Sequence, residues 1–151
     1  MARTATAAMR PSWPEYALAI AEAAAARSED PWLKVGACIL RPDNSVAGVG
    51  YNGAPPGIEI DWTNRDQRRA HVLHAELNAL RYCTTADTAG GLLAVTHLPC
   101  HEYLKTIAAY RIARVHYVHE LDAATYDANH INQIADTFRI QLTKETAPCS
   151  Q

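Results

Sequence analysis

Between Leu92 and Leu142 short apolar runs alternate with helical stretches, and this alternation constrains the fold more than any other feature of the chain. Leu92–Thr96, Val115–Val118 and Phe138–Leu142 have strand length, whereas Cys100–Tyr110 and Ala124–Ile134 between them read as helices. Strands separated by helices pair in parallel and are covered on both faces. Upstream, the strand-like runs Val35–Leu40 and Val46–Tyr51 flank Arg41-Pro42-Asp43-Asn44, which is turn chemistry and predicts a hairpin. Ser12 and Glu15 stand at capping-box spacing with Pro14 in the first turn. Tyr16, Ala19, Ile20, Ala23 and Ala24 then line one helical face, so a first helix runs to about Arg27. A second is expected from about His74 to Tyr82. The order α-β-β-α-β-α-β-α-β predicts an α/β fold: a three-layer α/β/α sandwich around a five-stranded mixed sheet, with an antiparallel opening hairpin and then parallel strands.

The 151 residues suffice for one domain. Residues 1–11 read as a flexible N-terminus, 12–145 as the domain and 146–151 as a flexible tail. Asn52 to Asp66 holds Gly53, Pro55, Pro56 and Gly57 and reads as a long loop of the kind that carries function. A hydrophobic content of 48% excludes a disordered chain. A net charge of −2 and a pI near 6.4 argue against a broad nucleic-acid surface but leave room for a pocket that holds one phosphate. No apolar run approaches the roughly 20 residues that span a bilayer, so no membrane partner is expected. Four Cys without a signal-peptide pattern read as cytoplasmic thiols, some of them metal-binding.

Two short segments carry the chemistry: His74-Ala75-Glu76 and Pro99-Cys100-His101-Glu102-Tyr103. Each opens a predicted helix. H-x-E followed by P-C-x-x-C is the signature of zinc deaminases, in which one His and two Cys hold the metal and the Glu moves protons without ligating. Zinc lowers the pKa of its water toward neutrality, and the Glu carries the water's proton to the base. The positive ends of the helices favour thiolate and hydroxide. Here the signature is incomplete, because Tyr103 stands where the second Cys belongs and the chain contains no C-x-x-C. Cys38, in the first strand, reads as a buried structural residue, and Cys83 as inert. His97, His116, His119 and His130 form no metal spacing, and Trp62 either lines a pocket or anchors the long loop.

From Trp13 to Leu142 the chain resembles the deoxycytidylate (dCMP) deaminases of the cytidine deaminase-like superfamily. The resemblance rests on Trp13-Pro14-Glu15-Tyr16, Arg27-Ser28-Glu29-Asp30-Pro31, Val35-Gly36-Ala37-Cys38-Ile39, Gly50-Tyr51-Asn52-Gly53 with Pro56-Gly57, His74-Ala75-Glu76-Leu77-Asn78-Ala79 and Tyr126-Asp127. It implies His74 and Cys100 as zinc ligands and Glu76 as the proton shuttle. It implies Asn52 as a contact to sugar and base, and the Ala75 backbone amide as a contact to the pyrimidine carbonyl. The substrate's 5′-phosphate needs a cation, and Arg27 and Lys34 are the candidates by position. The resemblance also implies a homo-oligomer and a nucleotide effector held with Mg²⁺ near the Gly50–Gly57 loop.

The third ligand stays open among Tyr103, His71 and His101, or no tight zinc site exists. Cys100 and Tyr103 share a helix face, but a phenol with a pKa near 10 is a poor ligand. His101 lies about 100° around the helix from Cys100. His71 reaches the site only if its helix starts early. The expected activity is hydrolytic deamination of dCMP, or a closely related nucleotide, to dUMP with release of ammonia. The second reading is a catalytically impaired relative that binds nucleotide or a partner subunit without turnover. Editing of polymeric RNA or DNA fits the acidic pI poorly.

Overall fold

The computed structural model describes residues 9–121 and 127–146. Most of the predicted N-terminal tail, the Thr146–Gln151 tail after its first residue, Cys149 and Tyr126 of the Tyr126-Asp127 pair lie outside them. The first helix, α1, spans Trp13–Ala25, and Ser12 caps it by accepting the Glu15 N–H. The hairpin follows as β1 (Gly36–Leu40) and β2 (Val46–Tyr51), paired antiparallel. Beyond it come α2 (Arg65–His71), α3 (Ala75–Leu80), a single turn α4 (Thr85–Thr88) and β3 (Leu92–His97). The chain then runs through α5 (His101–Ala109), β4 (Arg114–His119), α6 (Ala128–Thr137) and β5 (Gln141–Lys144).

The sheet order is β2-β1-β3-β4-β5. β1 pairs antiparallel with β3, and β3-β4 and β4-β5 are parallel. This is the mixed five-stranded sheet expected from the alternation. The strand period of two sorts its side chains onto two faces. Cys38, Leu40, Leu92 and Ala94 pack against Ala17, Leu18 and Ala21 of α1. Ala37, Ile39, Leu93 and Val95 face the other way, onto Ala79 and Leu80 of α3, Leu104 and Ile107 of α5 and Ile131 of α6. Helices therefore cover both faces. Full burial of each large aliphatic side chain contributes about 1.5–3 kcal/mol.

Two glycines allow the close helix–sheet contacts. A Cβ on Gly36 would stand 1.8 Å from the Ala21 carbonyl oxygen, and one on Gly50 would stand 2.4 Å from Ala79 N and 2.6 Å from Ala75 O. Only glycine lets α1 and α3 approach the hairpin so closely. The second approach fixes where α3 begins, and with it His74, Ala75 and Glu76.

The structure corrects some predicted boundaries. The stretch read as loop to Asp66 turns helical at Arg65, where Asn64 caps α2 by accepting the Gln67 N–H. The predicted second helix is shorter, Ala75–Leu80, and α4 was not expected. The helix expected over Ala124–Ile134 extends to Thr137, so Phe138 is its C-cap and the last strand starts only at Gln141.

Candidate active site

The cleft occupies about 600 Å³ and is assembled from five separate stretches of the sequence. The 32–35 segment supplies Trp32, Leu33 and Val35, and β2 leads into Asn52. α2 supplies Arg65, Arg68 and Arg69, and the starts of α3 and α5 supply His74, Ala75, Glu76 and Cys100. His97, from the end of β3, also lines it.

Glu76 lies in the first turn of α3 and is 4% exposed. Among the described residues its Oε2 has no hydrogen-bond partner. Burial pushes its carboxyl up to about 7. A buried oxygen left unpaired costs about 1–3 kcal/mol, and such groups call for an explanation; a reacting ligand in the cleft provides one. His74 is the N-cap of α3, and burial, helped by the charge of Arg68, holds its imidazole below the ordinary range. The ring is therefore neutral at neutral pH, with a lone pair free to bind. Cys100 is the N-cap of α5, and burial pushes its thiol up, partly offset by the backbone N–H groups of Tyr103 and Glu102. Burial and then the Glu76 charge push the Tyr103 phenol up as well. His97 is driven down to about 4 by burial and by the neighbouring His119, so it too is neutral.

Asn52 is buried, and its amide is already engaged. Its Oδ1 accepts the Val35 N–H at 2.8 Å, and its Nδ2 donates to Leu33 O at 2.8 Å and to Asp30 Oδ2 at 3.2 Å. Both donors and one acceptor position of the side chain are thus spent on the 30–35 segment. Asp30 in turn accepts from the backbone of Trp32 and Leu33 and from Arg68 Nε at 2.6 Å. The excursion from Gly53 to Leu73 is closed at its base by two reciprocal backbone bonds between those residues, at 3.1 and 2.8 Å. Trp62 helps to anchor it by accepting the Trp32 indole N–H at 3.0 Å.

His74, Cys100, Glu76, Ala75 and Asn52, all singled out from sequence, thus meet in one cleft. Arg27 and Lys34 are exposed and do not line it, and Lys34 donates to the Ser28 carbonyl. The cations on the cleft are Arg65, Arg68 and Arg69. Arg68 is committed to Asp30, whereas Arg65 and Arg69 are exposed and form no ion pair among the described residues. Their signal in the sequence was the Arg65-Asp66-Gln67-Arg68-Arg69 run, which has no apolar periodicity to place it. His71 faces away, with its Nδ1 2.7 Å from Gln67 O, and His101 pairs with Glu102 on the surface. Cys38 is fully buried, as its place in β1 required.

Whether these residues suit zinc is decided by the donor set. Among the described residues no three His, Cys, Asp or Glu side chains gather closely enough to share a metal ion. His74 and Cys100 are two donors, and Tyr103 stands at the third position. Its ring stacks on His74 with centroids 4.4 Å apart and planes 21° from parallel. A phenol with a pKa near 10 is a poor zinc donor in a place where the signature has a thiolate. The residues present do not complete a three-ligand zinc site.

A buried carboxyl two residues after a helix-capping His, with a helix-capping Cys lining the same cleft of an α/β/α sandwich, matches the nucleobase deaminase signature except at its second Cys. Residues 11–119 match the model of the cytidine and deoxycytidylate deaminase zinc-binding region. The chain is 37% identical over 144 residues to deoxycytidylate deaminase of Homo sapiens, covering 87% of this chain and 81% of that protein. It is 41% identical over 126 residues to deoxycytidylate deaminase of Mycobacterium phage D29, covering 74% of this chain and 98% of that one. Its fold matches dCMP deaminase from cyanophage S-TIM5, solved in complex with dCMP and dUMP, with a TM-score of 0.74 and 27% identity over 91% of this chain and all of that one. The chain belongs to the cytidine and deoxycytidylate deaminase family, whose described region is zinc-binding. Among the described residues no helix is long and apolar enough to cross a membrane.

Proposed function

We propose that the protein is a hydrolytic deaminase acting on dCMP or a closely related nucleotide. The observation that carries this reading is the unpartnered, buried Oε2 of Glu76 in a cleft that His74 and Cys100 also line. Water adds to the ring carbon that bears the amino group, and ammonia leaves, so dCMP and water become dUMP and ammonia. A proton must travel from the water to the base. Glu76, poised at about 7, can take and return it near neutral pH. The backbone N–H of Ala75, at the fully buried start of α3, faces the pyrimidine carbonyl in this reading. Arg65 and Arg69 meet the 5′-phosphate with charge-assisted hydrogen bonds. Asn52 shapes the wall against which sugar and base lie; its engaged amide supports a positioning role.

The relatives are named for turnover, and the impaired reading has no support from them. We further take the chain to be cytoplasmic, in keeping with the free thiols of Cys38, Cys83 and Cys100, and to form a homo-oligomer, which light scattering tests. The function is tested by chromatography of dCMP incubated with the protein: dUMP is expected, and dCMP left intact at every metal condition refutes the reading.

A further inference from the structure

The family's metal chemistry and this chain's donor set disagree at one residue, and the disagreement has a geometric form. Cys100 and Tyr103 are three residues apart at the start of α5, so both project from one side of the helix. Where the deaminase signature places a thiolate, this chain places a ring that lies flat on His74 at 4.4 Å. The stack holds the imidazole in orientation, and a phenol with a pKa near 10 is a poor donor to zinc. His101 and His71 are engaged elsewhere, with Glu102 and with Gln67 O, and lie outside the cleft. We propose that Tyr103 has replaced a metal ligand with a stacking wall, so that this chain holds zinc only through His74 and Cys100, in an exchangeable position. The stack keeps His74 ready for the metal, while the affinity falls to that of two protein donors.

The size of the effect follows from known ligand sets. Loss of an outer-shell partner of a ligand already lowers metal affinity by about 10–100-fold, so absence of a whole ligand lowers it by at least about 100-fold. The consequence is a protein that loses zinc to a mild chelator and takes it up again from solution.

The test is zinc content by elemental analysis, and zinc affinity by chelator competition, on wild type, Tyr103→Cys and Tyr103→Phe. Wild type is expected to fall well below one zinc per chain after dialysis against the chelator, and Tyr103→Cys to retain nearly one, with affinity raised at least about 100-fold. Tyr103→Phe keeps the stack and removes the oxygen, so it should match wild type. A wild type that retains one zinc per chain overturns the proposal. So does a Tyr103→Phe protein that loses zinc relative to wild type, because the phenol oxygen would then be a ligand. A folded Tyr103→Cys protein with unchanged zinc affinity overturns it as well. The inference rests on reading the cleft as a deaminase site, but its readout is metal retention. Failure of dCMP turnover with the expected zinc pattern would count against the function alone.

Discussion

Glu76→Gln exchanges one carboxyl oxygen for an amide nitrogen on the buried side of the cleft, and it should gain stability relative to wild type as pH rises while losing most of its turnover. Burial lifts the Glu76 carboxyl from 4.5 to about 7. Between those values the folded chain holds a proton that the unfolded chain has released, so stability falls as pH rises through that window and is lowest above about 7. At 1.36 kcal/mol for each tenfold in proton affinity, the full penalty is about 3 kcal/mol. Gln cannot ionise and escapes it. Its own buried amide adds a cost that does not vary with pH, so the informative quantity is the change in the stability difference between variant and wild type. With a chelator present to keep the metal out, that difference should shift in favour of Gln by about 3 kcal/mol from about pH 4 to about pH 9. For a chain of this length that corresponds to roughly 6–12 °C in melting temperature. The same variant should lose about 10²–10⁴-fold in kcat, the usual contribution of a positioned proton carrier. Calorimetric melts across the pH range measure the first effect and dUMP formation the second. Parallel stability profiles for the two proteins would refute the placing of Glu76 as a buried, unpaired carboxyl, and unchanged turnover would refute its chemical role.

Arg65→Ala and Arg69→Ala should each raise KM for dCMP by about 10-fold or more, the loss of one charge-assisted hydrogen bond, and leave turnover of deoxycytidine unchanged; steady-state kinetics on both substrates decide it. Arg68→Ala should cost about 3–5 kcal/mol in urea unfolding, because it removes the charge partner of the fully buried Asp30 carboxylate, and wild-type stability would deny that the pair holds α2. Gly50→Ala should destabilise by about 1–3 kcal/mol or more, since its Cβ would press on the backbone at Ala79 N and Ala75 O; thermal melts check this, and a stable variant would show that α3 can withdraw from β2.

What could be read from the sequence had a local cause. The hairpin was legible because Arg41 to Asn44 carries turn chemistry, and Asn44 does adopt a positive φ of 69°. β1 and β3 were legible as continuous apolar runs, as strands covered on both faces must be. α2 was not, because it buries no apolar side chain and is held by the Arg68–Asp30 pair, 38 residues apart. α4 had a readable signal, the Thr84–Asp87 capping box, but a single turn has no periodicity to draw attention to it. In α6, Ile131, Ile134 and Ala135 stand at helical spacing and mark a helix that runs beyond Ile134. In the site, His74, Glu76 and Cys100 announced themselves as motifs because each pairs with a helix start. The three arginines and the stack of Tyr103 on His74 did not, since each arises only when distant segments meet.

The most direct test of the account is to incubate dCMP with the purified protein in zinc-containing buffer and count dUMP and ammonia together, with Glu76→Gln as the blank. Wild type should release one ammonia for each dUMP formed, and the variant at most about one hundredth as much of either. Binding of dCMP by wild type with neither product formed would contradict it.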